Sequence, residues 1–276
     1  MKDAQRKNWY SEVAAAYTSQ QRKNWYSEVA DAYNKVRPRY PHDLINRAVQ
    51  LAQLPSKAII LEIGCGPGTA TTAFAQLGFS MICLEPSQEA CQLAQQNCAN
   101  YPNVEIINTT FEEWQLEAKK FNAVLAANSF HWVAPEIGYP KAAAALKDNG
   151  SLILLWNKEP QLSYKVYQAL NEVYQVQHPS LSRYEDRETQ EEILRWLGQN
   201  MIRSGLFKDL MYEQLACELT YSIDDYLALL STLSPYIRLE QQQRDSLFTG
   251  LRKVLEKYGT SLETSYLSAF HLAKKS

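Results

Sequence analysis

No apolar run approaches the ~18 residues that a membrane-crossing helix needs, so no segment of the chain reads as a membrane span. No charge of either sign dominates. Twenty-eight Lys and Arg stand against 30 Asp and Glu, a net charge of -2, and this balance offers no basic field for a nucleic-acid backbone. The five cysteines are odd in number and contain no Cys-x-x-Cys pair, which argues against a zinc site. Cys91 and Cys98 are seven apart on a predicted helix and read as reduced, buried thiols. Residues 1–6 have no apolar core and do not read as a secretory signal, so the expected location is cytoplasmic. No Ser/Gly-rich linker divides the 276 residues. One domain with lid elements is therefore expected, long enough to bury a sizeable core.

The most informative stretch is Ile59-Ile60-Leu61-Glu62-Ile63-Gly64-Cys65-Gly66-Pro67-Gly68-Thr69. An apolar strand runs into a turn with glycine at alternate positions, and a helical segment follows. A strand entering a glycine-rich turn that opens a helix is a nucleotide-binding arrangement, because backbone can approach a ligand that a Cβ would push away. Two common readings of such turns do not fit. The dinucleotide fingerprint needs a glycine where Thr69 stands, and a phosphate-binding loop needs Gly-Lys-Ser/Thr, which is absent. Glu62, two residues before the first glycine, is a poor neighbour for a pyrophosphate. It suits a ligand carrying an ammonium or sulfonium. Glu85 closes the next strand, 21 residues after Gly64, where a carboxylate can accept hydrogen bonds from both ribose hydroxyls.

Around this turn the pattern alternates. Strands are expected at 58–63, 80–84, 104–107, 123–127 and 151–156, and helices at 69–77, 87–97 and 139–146, with Ser87 as an N-cap. Short apolar strands each followed by a helix predict an α/β fold with a doubly wound, mostly parallel sheet covered on both faces. Beyond Asn157 the pattern is less regular. Helices are expected at 159–187, 189–204, 224–232 and 241–258, and two further strands at 210–220 and 262–272. Ahead of the first strand lies a repeat. Residues 5–14 recur as residues 21–30 at an offset of 16, with Tyr17 matching Tyr33. Only the second copy runs on into the domain, so it is expected to carry the function. A further helix is expected at 42–54.

The motif Glu62-x-Gly64-x-Gly66-x-Gly68 together with Glu85 resembles the class I S-adenosylmethionine-dependent methyltransferases. The resemblance covers roughly residues 33–156 and extends loosely beyond. It implies a seven-stranded sheet in the order 3-2-1-4-5-7-6 with the last strand antiparallel, helical lid insertions, and S-adenosyl-L-methionine as cofactor. The implied division is a duplicated helical arm at 1–20, lid helices at 21–56 and a methyltransferase domain at 57–276, with helical insertions around 158–187 and 222–258. It also implies cofactor contacts from the turn (Glu62, Gly64, Cys65, Gly66, Gly68), from Glu85 and Pro86 after strand 2, and from Thr110, Phe111 and Glu112 beside the adenine. Many members have an aspartate where Thr110 stands, leaving the Thr110 hydroxyl or Glu112 to replace it. The Asn128 carbonyl falls where the family meets the cofactor's ammonium.

Asn128-Ser129-Phe130-His131-Trp132-Val133 resembles the segment near the transferring methyl in the trans-aconitate and related small-acid methyltransferases, with His131 a candidate base and Trp132 a substrate contact. Tyr33-x-x-x-Arg37-Pro38-x-Tyr40-Pro41 resembles the segment before strand 1 in the same subgroup. There Tyr33 would cover the sulfonium and Arg37 would bind the cofactor's carboxylate. Arg183, Arg187 and Arg238 are candidates to grip an acidic substrate, and the Tyr-rich insertions, Tyr236 among them, to line its pocket. The expected activity is methyl transfer to an O, N or C atom of a small-molecule acceptor, a carboxylic acid being one candidate. A non-catalytic cofactor-binding module and an NAD-dependent oxidoreductase are the alternatives. No nucleic-acid or membrane partner is expected.

Overall fold

The computed structural model describes residues 19–276; the first repeat copy lies outside them. The chain enters as helix α1 (Ser19–Val36) and, after Pro38 and Pro41, helix α2 (His42–Ala52). The alternating part follows as β1 (Ile59–Ile63), α3 (Thr69–Gln76), β2 (Ser80–Glu85), α4 (Gln88–Asn97), β3 (Val104–Asn108), β4 (Phe121–Ala127), α5 (Pro135–Ala145) and β5 (Leu146–Asn157). The remainder is β6 (Gln161–Leu162), α6 (Tyr164–Gln177), α7 (Arg187–Arg203), β7 (Phe207–Ser222), α8 (Ile223–Ser231), α9 (Ser234–Ile237), α10 (Gln241–Leu255) and β8 (Ser261–Lys275).

The sheet runs β3-β2-β1-β4-β5-β8, with β7 on the outer edge of β8. β1 to β5 pair in parallel, whereas β8 lies antiparallel between β5 and β7. The two-residue β6 pairs with β8 at Thr264 and Ser265 on the edge that β5 uses further along, and so continues β5. Counted that way, the order is the expected one, with the last strand of the chain antiparallel. Both sheet faces are covered, which is why the central strands are apolar throughout. Leu61, Ile63, Val124, Leu152 and Leu154 face one helix layer, while Ile60, Ala123, Leu125, Ile153 and Leu155 face the other. A third apolar cluster joins α6, α8 and α10 through Leu170, Leu227, Leu230, Leu247 and Leu251. It forms a cap beyond the sheet.

Local chemistry sets several boundaries. Ser87 caps α4 by accepting from the Ala90 amide at 3.1 Å, and Asp186 caps α7 through Thr189 at 2.8 Å. The helix expected at 139–146 starts instead at Pro135, where a missing N–H costs nothing. β5 begins at Leu146 rather than 151, and Asn149 takes a positive φ of 64° within it. The long helix expected over 159–187 is confined to Tyr164–Gln177 between Pro160 and Pro179, with Ser163 as its cap.

Candidate functional site

The carboxyl ends of β1, β2, β3 and β4 converge on a cavity of about 160 Å³. Its floor is the glycine turn. Gly64, Gly66 and Gly68 all have positive φ, at 64°, 56° and 83°, which L-side chains adopt at a cost. The three have different tasks. A Cβ on Gly64 would lie 2.8 Å from the Ser129 Cβ, so this glycine lets the segment after β4 pack onto the turn. Ser129 reinforces the contact by donating its hydroxyl proton to the Ile63 carbonyl. A Cβ on Gly66 would meet no atom within 4 Å, because it would project into open space at the wall of the cavity. Gly68 is the residue before α3, against Ala94 and Cys98, and is not part of the lining of this cavity.

Glu85 is buried at the end of β2 and lines the cavity. One carboxylate oxygen accepts from the Gly66 amide at 2.9 Å and the other from the Ser87 amide at 2.8 Å. The turn after β1 and the cap of α4 are thus tied to one acid. Pro86, Thr110, Phe111 and Glu112 line the same cavity, with Leu84 and Val133 adding apolar wall. The Thr110 hydroxyl bonds Glu113, accepting from its amide at 3.1 Å and donating to its carboxylate at 3.0 Å. Lys141 holds this loop from behind through the carbonyls of Glu112 and Trp114.

From the second repeat copy, Ala30 and Tyr33 of α1 close the cavity. The Arg37 guanidinium stacks 4.8 Å from the Tyr33 ring, so the expected aromatic–arginine pair is formed. Arg37 also donates to Thr232, from Nε to the hydroxyl at 2.8 Å and from Nη2 to the carbonyl at 2.7 Å. It therefore anchors the entry segment to the end of α8. Arg37 and Cys65 line a smaller adjoining cavity that shares Tyr33, Gly64, Gly66 and Asn128 with the first. Asn128 sits at positive φ, 54°, and its side chain bonds the backbone of Asn157 at the end of β5.

Several candidates lie elsewhere. Glu62 lines neither cavity. It is fully buried behind the turn, where Thr71 donates to it at 2.6 Å, and burial pushes its carboxyl up to about 7. Strand alternation explains this, because Glu62 shares the face of Ile60 and so points at α3. His131 lies in the 3₁₀ turn Phe130–Trp132 and packs between the rings of Trp132 and Trp156, outside the lining of the cavities. Trp132 does line the first cavity. Arg183 and Tyr236, with Arg238, line a separate cavity in the cap, whereas Arg187 pairs with Glu191 on the surface of α7. Asn157 and Lys158 were not singled out by the sequence, and the segment 231–236, read as facing the acceptor, places Thr232 on Arg37. Asn157 could have been, because it ends a strand on the same rim as Asn128.

The donor set fits a nucleoside. An apolar slot beside Phe111 suits a base and a carboxylate at Glu85 suits ribose hydroxyls. At Gly66 the absence of a Cβ leaves the cavity open. Fold and site together define a nucleotide-binding, Rossmann-like α/β protein. Residues 60–150 match the methyltransferase domain family. Residues 60–150 are therefore similar to a methyltransferase domain, and the fold is Rossmann-like. An uncharacterized methyltransferase of Mycobacterium tuberculosis is 32% identical over 122 residues, covering 44% of this chain and 47% of that protein. A probable S-adenosylmethionine-dependent methyltransferase of Saccharomyces cerevisiae is 25% identical over 179 residues, 63% of this chain and 60% of that protein. The chain spans about half the length of the first of these relatives. The solved structure of a candidate type II methyltransferase from Anaeromyxobacter dehalogenans superposes with a TM-score of 0.60 at 18% identity, over 86% of this chain and 97% of that one.

Proposed function

We propose that this chain transfers a methyl group from S-adenosylmethionine to a small-molecule acceptor, and that the acceptor is a carboxylic acid. The observation that carries the reading is Glu85. This buried carboxylate is fixed by the Gly66 and Ser87 amides on the wall of a cavity floored by the glycine turn. When bound, S-adenosylmethionine supplies an electrophilic methyl on a sulfonium, whose carbon–sulfur bond breaks as the new bond forms. The residues that would hold it are Glu85 at the ribose, Phe111 and Leu84 at the base, and Gly64, Gly66 and Tyr33 toward the sulfonium end. The main contribution of the protein is alignment and exclusion of water, with α1 and the segment through Arg37 acting as a lid.

The likeness of residues 128–133 to the small-acid methyltransferases supports the acid, as does the basic cavity in the cap. A carboxylate is already nucleophilic at neutral pH, so no general base is required, and His131 keeps a packing role. Incubation with trideuteromethyl-labelled cofactor and a panel of carboxylic acids, followed by mass spectrometry, tests the reading. Labelled methyl esters are expected. Cofactor binding without turnover across the panel would instead mark a non-catalytic module.

A further inference from the structure

The cap contains a second cavity of about 500 Å³, enclosed by α6, α8, α9 and the segment after α6. This size lies within the ~300–1,000 Å³ of small-molecule sites. Its wall has two characters. Most of it is apolar or aromatic, with Tyr167, Tyr184 and Tyr226 among leucines such as Leu229 and Leu230. The hydroxyls of Tyr174 and Tyr236 bond each other at 2.7 Å, and that of Tyr167 bonds Ser182 at 3.0 Å. With those hydroxyls engaged, Tyr167, Tyr174 and Tyr236 offer mainly ring surface. The charged groups on the wall are Arg183 and Arg238 against one acid, Glu159, so the wall is more positive than negative.

Arg183 has a defined place on this wall. Its guanidinium pairs with Glu185, and its side chain is 36% exposed while that of Glu185 is 2% exposed. Glu185 also takes Lys158 at 2.9 Å, and Lys158 lines the small cavity that adjoins the glycine turn. Arg183 is therefore linked through two ion pairs to the side where the methyl donor is read to bind. A guanidinium oriented by a buried carboxylate at the exposed edge of an apolar wall is suited to bidentate pairing with a carboxylate or similar oxyanion. The rings and leucines around it reward an apolar body and give nothing to a small, fully hydrated polyacid.

We propose that this cavity binds a monoanionic amphipathic acid, with one carboxylate and an apolar or aromatic body. Arg183 is the specificity-determining residue. The ligand class rests on the lining of the cavity.

Calorimetric titration of the full chain with octanoate, 1-octanol, octylamine and succinate, with and without saturating S-adenosylhomocysteine, tests it. Octanoate is expected to bind at least about tenfold tighter than the other three, as a charge-assisted pair adds to apolar burial. Arg183→Gln should erase the preference for octanoate over 1-octanol while leaving 1-octanol and S-adenosylhomocysteine affinities unchanged. Arg183→Lys should restore part of it. Arg238→Gln supplies an independent partial loss should the Arg183 variants unfold. Equal binding of 1-octanol or octylamine, tighter binding of succinate, undiminished discrimination in Arg183→Gln, or no binding of octanoate would each overturn the proposal. Octanoate binding with no S-adenosylhomocysteine binding would leave this ligand class standing and remove the cofactor reading.

Discussion

The side chain of Asn128 and the backbone of Asn157 exchange two hydrogen bonds of 2.8 Å each: Asn128 Nδ2 donates to the Asn157 carbonyl, and the Asn157 amide donates to Asn128 Oδ1. Asn157 Nδ2 passes the link on to the Pro38 carbonyl at 3.0 Å. The ends of β4 and β5 and the entry segment are thus joined at the rim of the cavity. Asn128→Ala removes both bonds and puts alanine at a positive φ. The expected loss is about 1–3 kcal/mol of stability, with weaker binding of S-adenosylhomocysteine. Urea titration and calorimetry check both, and unchanged binding would detach this link from the site.

Two glycines of the turn should fail in different ways. Gly64→Ala drives a Cβ to 2.8 Å from Ser129, so stability should fall. Gly66→Ala meets no neighbour within 4 Å and carries only the left-handed strain, roughly 1–2 kcal/mol. Gly66 lines the cavity, so ligand affinity should fall by more than stability does. A Gly66→Ala variant with full affinity would place the ligand elsewhere.

Gly198 on α7 faces His271 on β8. A Cβ at Gly198 would lie 2.4 Å from His271 Cδ2, and the imidazole is already stacked on Tyr212 with ring centroids 4.7 Å apart. Gly198→Ala should destabilise by about 1–3 kcal/mol through overpacking while leaving affinity for S-adenosylhomocysteine intact, since this contact lies away from the cavity. A wild-type melting temperature would contradict the packing.

Glu62 gives a pH signature. Burial raises its carboxyl from 4.5 to about 7, against hydrogen bonds from Thr71 and Cys83 that act in the opposite direction. A raised carboxyl contributes stability fully present below pH 4.5 and lost as pH rises through 7. His271 works the other way. Burial lowers it from 6.5 to about 4, so its contribution is present above 6.5 and lost as pH falls through 4. Comparing wild type with Glu62→Gln cancels the histidine. Relative to the variant, wild type should lose on the order of 3 kcal/mol between pH 4.5 and 7. A flat difference in urea titrations over that window would show that Glu62 titrates normally.

The central strands were legible because burial on both faces makes them apolar throughout. The glycine turn was legible because positive φ and close approach demand glycine there. Glu85 followed from its place at the end of the next strand. Glu62 was misplaced although period-two alternation puts it on the face of Ile60, away from the cavity. Arg37 was expected at the cofactor, yet its partner Thr232 is 195 residues away, and no local pattern announces such a pairing. The cap was blurred for a related reason. Its helices pack on one another through Leu and Tyr that could equally face solvent or core, and Pro160 and Pro179 break what composition reads as one helix.

The central claim is that Glu85 and the glycine turn hold S-adenosylmethionine. Calorimetric titration of wild type and Glu85→Gln with S-adenosylhomocysteine and with NAD tests it most directly. The expected result is binding of S-adenosylhomocysteine alone by the wild type, weakened by about 1–3 kcal/mol in the variant as hydrogen bonds to a charged acceptor are lost. Binding of NAD alone, or undiminished S-adenosylhomocysteine affinity in Glu85→Gln, would contradict it.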